Sequence, residues 1–535
     1  MFNQLVTPVG GSLALSFAVA AIPIAVVLLL LGVFRRPAWQ AAGAGLLVGL
    51  GLATGVWQMP GAPAFSSIAN GAAFALLPVM WIVFNALVLY NITIASGRFD
   101  AFRAWMMQHL PNDRRVVLVV IGFSFGCLLE GISGFGTPVA ITSALLIALG
   151  FPAMDAVVFT LIFNTAPVAF GALGTPVTTL GAVTQLSDQT LGAMIGRQLP
   201  FLAFLLPFYA IGLYGGLKAL RGIWPMLVVA GGSFGLAQFA TSNYLNYALT
   251  DVLASMGSLV VTVAFIKVWK MPVDPAFALN APALAATPRA GTAIGNWQGW
   301  VPWILLATVV ILWTHLKVAA IGQIPVQWPA LHNQVFITTY ERPYAAVWNF
   351  QPLGTGTAIL FTSILVALIV RLKMGDLARA FSDAFLQWRM PALTTMLIIA
   401  LAYLMNYSGM TYTLGVGVAS AGFIFPFLSA FLGWLAVFLS GSDTSGNALF
   451  GNLQVVAAHK LNLDPVLMAA TNSSGGVLGK MISPQNLSTG TSITGLSGRE
   501  GEVLARTFKH SIILTVLLGL LVMAQQYLFP WMIPK

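Results

Sequence analysis

Three ionisable side chains lie inside stretches that are otherwise apolar: Glu130 in EGISGFGTP, Asp443 in SGSDTSGN and Lys480 in TNSSGGVLGKMISP. A charge at membrane depth costs several kcal/mol unless it is paired or faces water, so such residues mark substrate and ion pathways. Glu130 and Asp443 are isolated carboxyl groups of the kind proton relays use, or else structural groups fixed by a lysine or by backbone amides. Lys480 suits a small carboxylate, against the plainer reading of a lysine reaching back to the interface from a helix end. Asp155 and Asp464 open their helices and read as caps.

Lys480 also belongs to a duplicated pattern, N-[TS]-x5-G-x3-[TS]-P, present as FNTAPVAFGALGTP from Phe163 and TNSSGGVLGKMISP from Thr471. The two copies match at Asn164, Thr165, Gly171, Thr175 and Pro176 against Asn472, Ser473, Gly479, Ser483 and Pro484. Glycine, proline, amides and hydroxyls in apolar, helix-length segments predict helices broken at membrane depth, where freed backbone groups hold a polar solute. Gly475, Gly476 and Gly479 are expected to permit the break. Asn472, Ser473, Ser474, Ser483, Gln485 and Asn486 are expected to supply neutral donors and acceptors, with Asn164, Thr165, Gly174 and Thr175 doing so in the first copy. Where the second copy has Lys480, the first has Ala172.

The elements that must position these residues are membrane helices. Of 535 residues, 58% are hydrophobic and only 7% charged, against about a quarter charged in soluble domains. A large soluble domain is therefore excluded, and the lipid bilayer is the expected partner. The net charge of +10 is scattered beside apolar runs, which fits orientation in a bilayer and not nucleic acid. A single cysteine, Cys127, excludes an internal disulfide. No metal-ligand spacing and no phosphate-binding loop is present, so no cofactor is expected and energy would come from an ion gradient. The first apolar run, lacking a basic leader, reads as a retained span.

About 12 transmembrane helices are predicted. Segments 116–149 and about 430–460 are polar and glycine-rich at their middles and read as re-entrant hairpins, with broken helices at 151–181 and 465–489. Two stretches mixing aromatic and basic residues, from Gly97 and from Gly375, read as interfacial helices. Between that element and the broken helix the second half holds about thirty more residues, enough for one extra crossing, which would invert the rest of that half. The chain is thus read as an all-α polytopic membrane protein with an inverted repeat: an N-terminal half 1–270, an Ala/Pro-rich linker 271–298 and a C-terminal half 299–535. Segment 318–350 reads as an extramembrane loop.

The strings EGISGFGTPVAI, FNTAPVAFGALGTP, GSDTSGNALFGNLQ and ATNSSGGVLGKMISPQNLSTG closely resemble those of the bacterial L-lactate permease family, and the resemblance covers essentially the whole chain. It implies uptake of L-lactate, D-lactate and glycolate by proton symport across the inner membrane. More distantly the chain is similar to divalent anion/sodium symporters, whose hairpin tips carry Ser-Asn-Thr motifs. The corresponding positions are Ser442 to Ser445, while the first tip reads Ser133 to Thr137, so Ser442, Thr444, Ser133 and Thr137 join the substrate-binding candidates. Asp443 replaces the neutral Asn of that pattern, which is compatible with proton coupling. That superfamily also implies a homodimer and elevator motion. The competing readings are a sodium-coupled carboxylate symporter, a passive organic-anion channel and, remotely, an intramembrane hydrolase using Ser473 or Ser474 with His459.

Overall fold

The computed structural model describes residues 1–34, 36–132, 134, 137–279 and 295–535. Most of the expected linker, residues 280–294, and the tip residue Ser133 lie outside the described residues, as does the side chain of Thr137. The chain is almost entirely helical. The first helices are α1 (Leu13–Gly32), α2 (Ala38–Gly55), α3 (Gly61–Phe74), α4 (Trp81–Ala95) and α5 (Arg98–Gln108). Next come α6 (Arg114–Val117) and α7 (Gly126–Ile132), joined through a π-helical stretch into one rod, then α8 (Thr137–Ala148), α9 (Ala153–Phe163), α10 (Gly171–Thr184) and α11 (Asp188–Ile195). They are followed by α12 (Leu199–Tyr244), α13 (Thr250–Val268), α14 (Val301–His315), α15 (Thr355–Ile369), α16 (Met374–Ser408) and α17 (Met410–Val418). The chain continues through α18 (Phe425–Ser440), α19 (Asp443–Leu461), α20 (Pro465–Lys480), α21 (Pro484–Ile493) and α22 (Glu500–Tyr527).

Among the described residues, 9 helical stretches are long and apolar enough to cross a membrane, or 10 with the bent pair α9–α10 counted as one span. The protein is therefore a polytopic membrane protein, with fewer spans by this measure than the twelve expected. One difference is α12, which folds back on itself at Gly215 and Gly216, the latter at φ +65°. Its two arms pack antiparallel, Gly231 against Phe204 and Gly235 against Pro200. Another is α16: the amphipathic stretch from Gly375 is no separate surface helix but the first half of one continuous 35-residue helix. Only its counterpart, α5, stands alone, because Gly97 at φ +70° and the Pro111 turn delimit it.

The two segments expected as re-entrant hairpins form helix-turn-helix pairs, in which the first arms, within Arg114–Ile132 and Met410–Ser440, belong to stretches long and apolar enough to cross a membrane. The first runs from the α6–α7 rod into α8. The second runs from α18 into α19, turning at Gly441 (φ +72°) and Ser442, whose Oγ caps α19 by accepting from Ser445 N at 3.3 Å. It starts at Phe425, earlier than expected. Each hairpin is followed by an interrupted helix. The bend between α9 and α10 is 65°, and α20 stops at Lys480, with α21 restarting at Ser483 as cap. The packing is reciprocal: α10 lies on α19, and α21 lies on α8. Each interrupted helix thus sends its second part onto the other helix-turn-helix pair.

The remaining helices form a wall. Helices α1 to α4 pack with α15 and α16, and an apolar cluster that includes Ala42, Leu46, Leu401 and Leu404 continues from them into α19 at Leu449 and Leu453. The loop 318–350 folds into short strands, β2 (Ile324–Gln327) against β5 (Val347–Phe350), and β3 (Val335–Ile337) between β1 (Phe2–Asn3) and β4 (Arg342–Pro343). It is pinned to the wall where Trp328 Nε1 donates to Ser66 O at 3.0 Å.

Candidate functional site

A cavity lies where the hairpin tips and the helix breaks converge. It is lined by Glu130 and Gly134 from the first hairpin, Gly171 and Thr175 from the first break, Ser442, Asp443 and Thr444 from the second hairpin, and Lys480 and Gln485 from the second break. With its open mouth counted the empty space is about 380 Å³, of which only about 40 Å³ admits the centre of a water-sized molecule, so the cavity is tight in this state. Glu130 and Lys480, 350 residues apart, are joined across it by a hydrogen-bonded ion pair of 2.6 Å. Both are buried, at 2% and 6% exposure. Asn164 Nδ2 donates to the other Glu130 oxygen at 3.0 Å. A charge pair this deep offsets its desolvation only through such geometry and added hydrogen bonds.

Local sequence explains how these groups arrive there. Lys480 is the last residue of α20, where unpaired carbonyls favour a cation. Its own carbonyl accepts from Ser483 Oγ at 3.0 Å and from Asn486 Nδ2 at 3.1 Å, which seals the break. In the first copy the chain passes through left-handed backbone at Ala172, Leu173 and Gly174. Gly171 is required by proximity, since a Cβ there would lie 2.9 Å from Glu130 Oε1.

The second carboxylate, Asp443, opens α19. Its Oδ2 accepts from Ser473 Oγ at 2.6 Å and from Asn447 Nδ2 at 3.3 Å, while Oδ1 has no hydrogen-bond partner among the described residues. Asn472 binds the protein itself: its Nδ2 donates to Asn447 Oδ1 at 3.0 Å and its Oδ1 accepts from Gln454 Nε2 at 2.9 Å. Ser473 donates to Asp443, and the His459 ring rests on Tyr340.

Several expectations are corrected here. Gly475 and Gly476 do not break the helix, because α20 is continuous from Pro465 to Lys480 and buried on every side from Leu467 onward. These glycines allow α18 and α20 to touch: a Cβ at Gly475 would lie 2.1 Å from the Ala430 carbonyl oxygen, and one at Gly479 2.2 Å from that of Trp434. The shared break falls at Met481 to Ser483 and at Ala172 to Gly174, just after the Gly of the pattern, Gly479 and Gly171. The first copy has an additional interruption, from Asn164 to Phe170, where the second remains helical.

Thr175, Ser442, Thr444, Gln485 and Lys480 line the cavity together with both carboxylates, whereas Asn472, Ser473, Ser474, Gly475, Gly476 and Ser483 stand behind it. Thr165 is turned away, its hydroxyl donating to Ile162 O at 2.7 Å. Asp464 caps α20 as expected, accepting from Leu467 N at 2.9 Å. Gly134, Val168 and Gly441 are lining residues that the sequence did not single out. The glycines lie inside the tip strings and were legible there in principle; Val168 carries no polar signal.

A model of the L-lactate permease family matches residues 16–529. The chain belongs to the L-lactate permease family. Among its relatives, glycolate permease GlcA of Escherichia coli K12 is 39% identical, over 99% of each chain. The L-lactate permease of Bacillus subtilis is 38% identical over the full length of both, and that of Escherichia coli K12 is 37% identical over 98% of each. A multi-pass helical member of this bacterial family resides in the inner, plasma membrane. The site strings of the family member thus sit at one place in the fold, the two tips facing the two breaks around Glu130 and Lys480.

Proposed function

We propose that the chain imports L-lactate and related 2-hydroxy monocarboxylates, D-lactate and glycolate, by proton symport with alternating access of the elevator type. The observation that carries this reading is the Glu130–Lys480 ion pair inside the shared cavity. Lys480 is the one cation among the described residues that line it, so an incoming carboxylate must compete with Glu130 for the ammonium. A proton on Glu130 releases Nζ, and the substrate carboxylate takes its place. Thr175, Ser442, Thr444 and Gln485 are the neutral groups placed to hold the 2-hydroxyl.

Charge balance then provides the coupling. Empty, the pair is neutral as carboxylate plus ammonium; loaded, it is neutral as carboxylic acid, ammonium and substrate anion. Substrate without the proton leaves one net negative charge at membrane depth, which is costly to move. One proton per monocarboxylate is the resulting ratio, and a dicarboxylate is rejected. Asp443, at the second tip, is the other carboxyl group facing the cavity that can take a proton. The elevator reading rests on the resemblance to the divalent anion/sodium symporters.

The test is accumulation of labelled L-lactate in proteoliposomes under an inward proton gradient, with counterflow against glycolate, D-lactate, pyruvate and succinate. Uphill uptake collapsed by a protonophore, with exchange for the hydroxy acids and none for succinate, is expected. Uptake that tracks sodium instead would establish a sodium-coupled symporter, and downhill flux indifferent to both ions would establish a channel.

A further inference from the structure

A third buried carboxyl group adjoins the site. Asp251, in the first turn of α13, is 0% exposed, and both of its carboxyl oxygens lack a hydrogen-bond partner among the described residues. It is therefore not capping its helix. It faces α7 beside Glu130: a Cβ on Gly131 would lie 2.6 Å from the Asp251 Cβ. An ionised, unpaired carboxylate is strongly disfavoured in such surroundings, and the dipole of one helix N-terminus offsets only a small part of that cost.

The charged groups acting on Asp251 are Glu130 and Lys480, and Cys127, one turn earlier on α7, also senses it. From α10, α12 and α14, which also pack on α13, no charged group acts on it among the described residues. Tyr247, on the preceding turn, is engaged with Thr178 at 3.0 Å and Asp188 at 3.2 Å. Asp251 continues as a row of buried hydroxyls on one face of α13, Ser255, Ser258 and Thr262. Ser258 bonds Ser124 of the α6–α7 rod at 2.9 Å, whereas the hydroxyls of Ser255 and Thr262 have no partner among the described residues. A buried polar seam with open hydrogen-bonding capacity therefore runs along the rod that carries Glu130.

We propose that Asp251 is a proton-relay residue for the Glu130–Lys480 pair. The neutral Asp251 acid gives its proton to a Glu130 oxygen, so that one O–H bond breaks and another forms. Lys480 is released to the substrate, and the Asp251 carboxylate regains a proton from the aqueous side. This inference rests on the proton-coupled reading of the site and names the group that feeds it.

The experiment compares wild type with Asp251→Asn, which mimics the neutral acid and should fold, in proteoliposomes. Gradient-driven lactate accumulation is expected to fall about a hundredfold and its pH dependence to flatten. Lactate counterflow at equal pH, which needs no net protonation, should stay within about twofold of wild type. Asp251→Glu should keep accumulation with a displaced pH midpoint. Wild-type accumulation and pH profile in Asp251→Asn would overturn the relay, as would equal loss of counterflow and accumulation in monodisperse protein. If Asp251→Asn aggregates, an unchanged pH profile in Asp251→Glu overturns it instead. Absence of proton-driven accumulation in the wild type itself defeats the functional reading, and the relay with it.

Discussion

Lys480 and Glu130 show how two side chains can each have a plausible solitary role and yet be halves of one device. Taken singly, the lysine reads as an anion site and the glutamate as a proton site; placed 2.6 Å apart, each controls the availability of the other. Removing one partner leaves the second charge buried and alone, at a cost of about 3–5 kcal/mol. Lys480→Ala should therefore abolish uptake and lower the melting temperature in detergent. Adding Glu130→Gln should recover most of the stability and none of the transport. Recovery of uptake in that double variant would show that the ammonium does not hold substrate. Glu130→Gln alone frees Nζ permanently, so lactate binding should persist while its pH dependence and uphill accumulation are lost. For the native pair the sign is fixed: at constant internal pH, initial uptake rises as external pH falls, because binding requires the glutamate proton.

The elements that hold this pair are governed by close approach. Along α18 and α20, Gly433, Gly475 and Gly479 bring backbone to backbone, with Cβ positions only 2.0 to 2.2 Å from facing carbonyl oxygens. Neither side can yield without separating the helices, so Gly475→Ala should cost about 1–3 kcal/mol or more and displace Asp443 and Lys480 together. The check is thermal unfolding alongside lactate affinity. Loss of affinity with unaltered stability would mean that the glycine serves the substrate directly. The same elements show how sequence composition misleads: glycine clusters promise flexibility, yet those in α20 are consumed in packing, while the true break comes at Met481. What distinguishes the two outcomes is the presence of α18 across the helix, a partner that no local window contains.

Across the whole protein, helices α1 to α4, α15 and α16 border the hairpins and interrupted helices. Asn406 of α16 spans this boundary, accepting from Asn452 of α19 at 3.2 Å and donating to Val183 O of α10 at 3.3 Å. If the hairpin helices slide along the wall, that contact must break in every cycle. Asn406→Cys with Asn452→Cys, in a Cys127→Ala background that removes the one native thiol, should therefore lose uptake on oxidation and regain it on reduction. Full uptake with the cross-link complete would exclude relative movement at this boundary.

Composition and motif alone establish the solvent, the class of architecture and the family resemblance. Apolar runs identify a membrane protein, since no soluble surface can be built from them. Polar, glycine-rich centres singled out Glu130 and Asp443, and a duplicated pattern contained Lys480; ionisable residues are rare in such segments and each demands a reason. Which of them meet is settled by three-dimensional packing. The Glu130–Lys480 pair closes a loop of 350 residues, and Asp251 acquires its meaning from Gly131 on another helix. Likewise the continuity of α16 and of α20 depends on packing partners far along the chain. Local periodicity records what a segment can bury, but a buried charge is defined by its neighbours, and those are supplied by the fold.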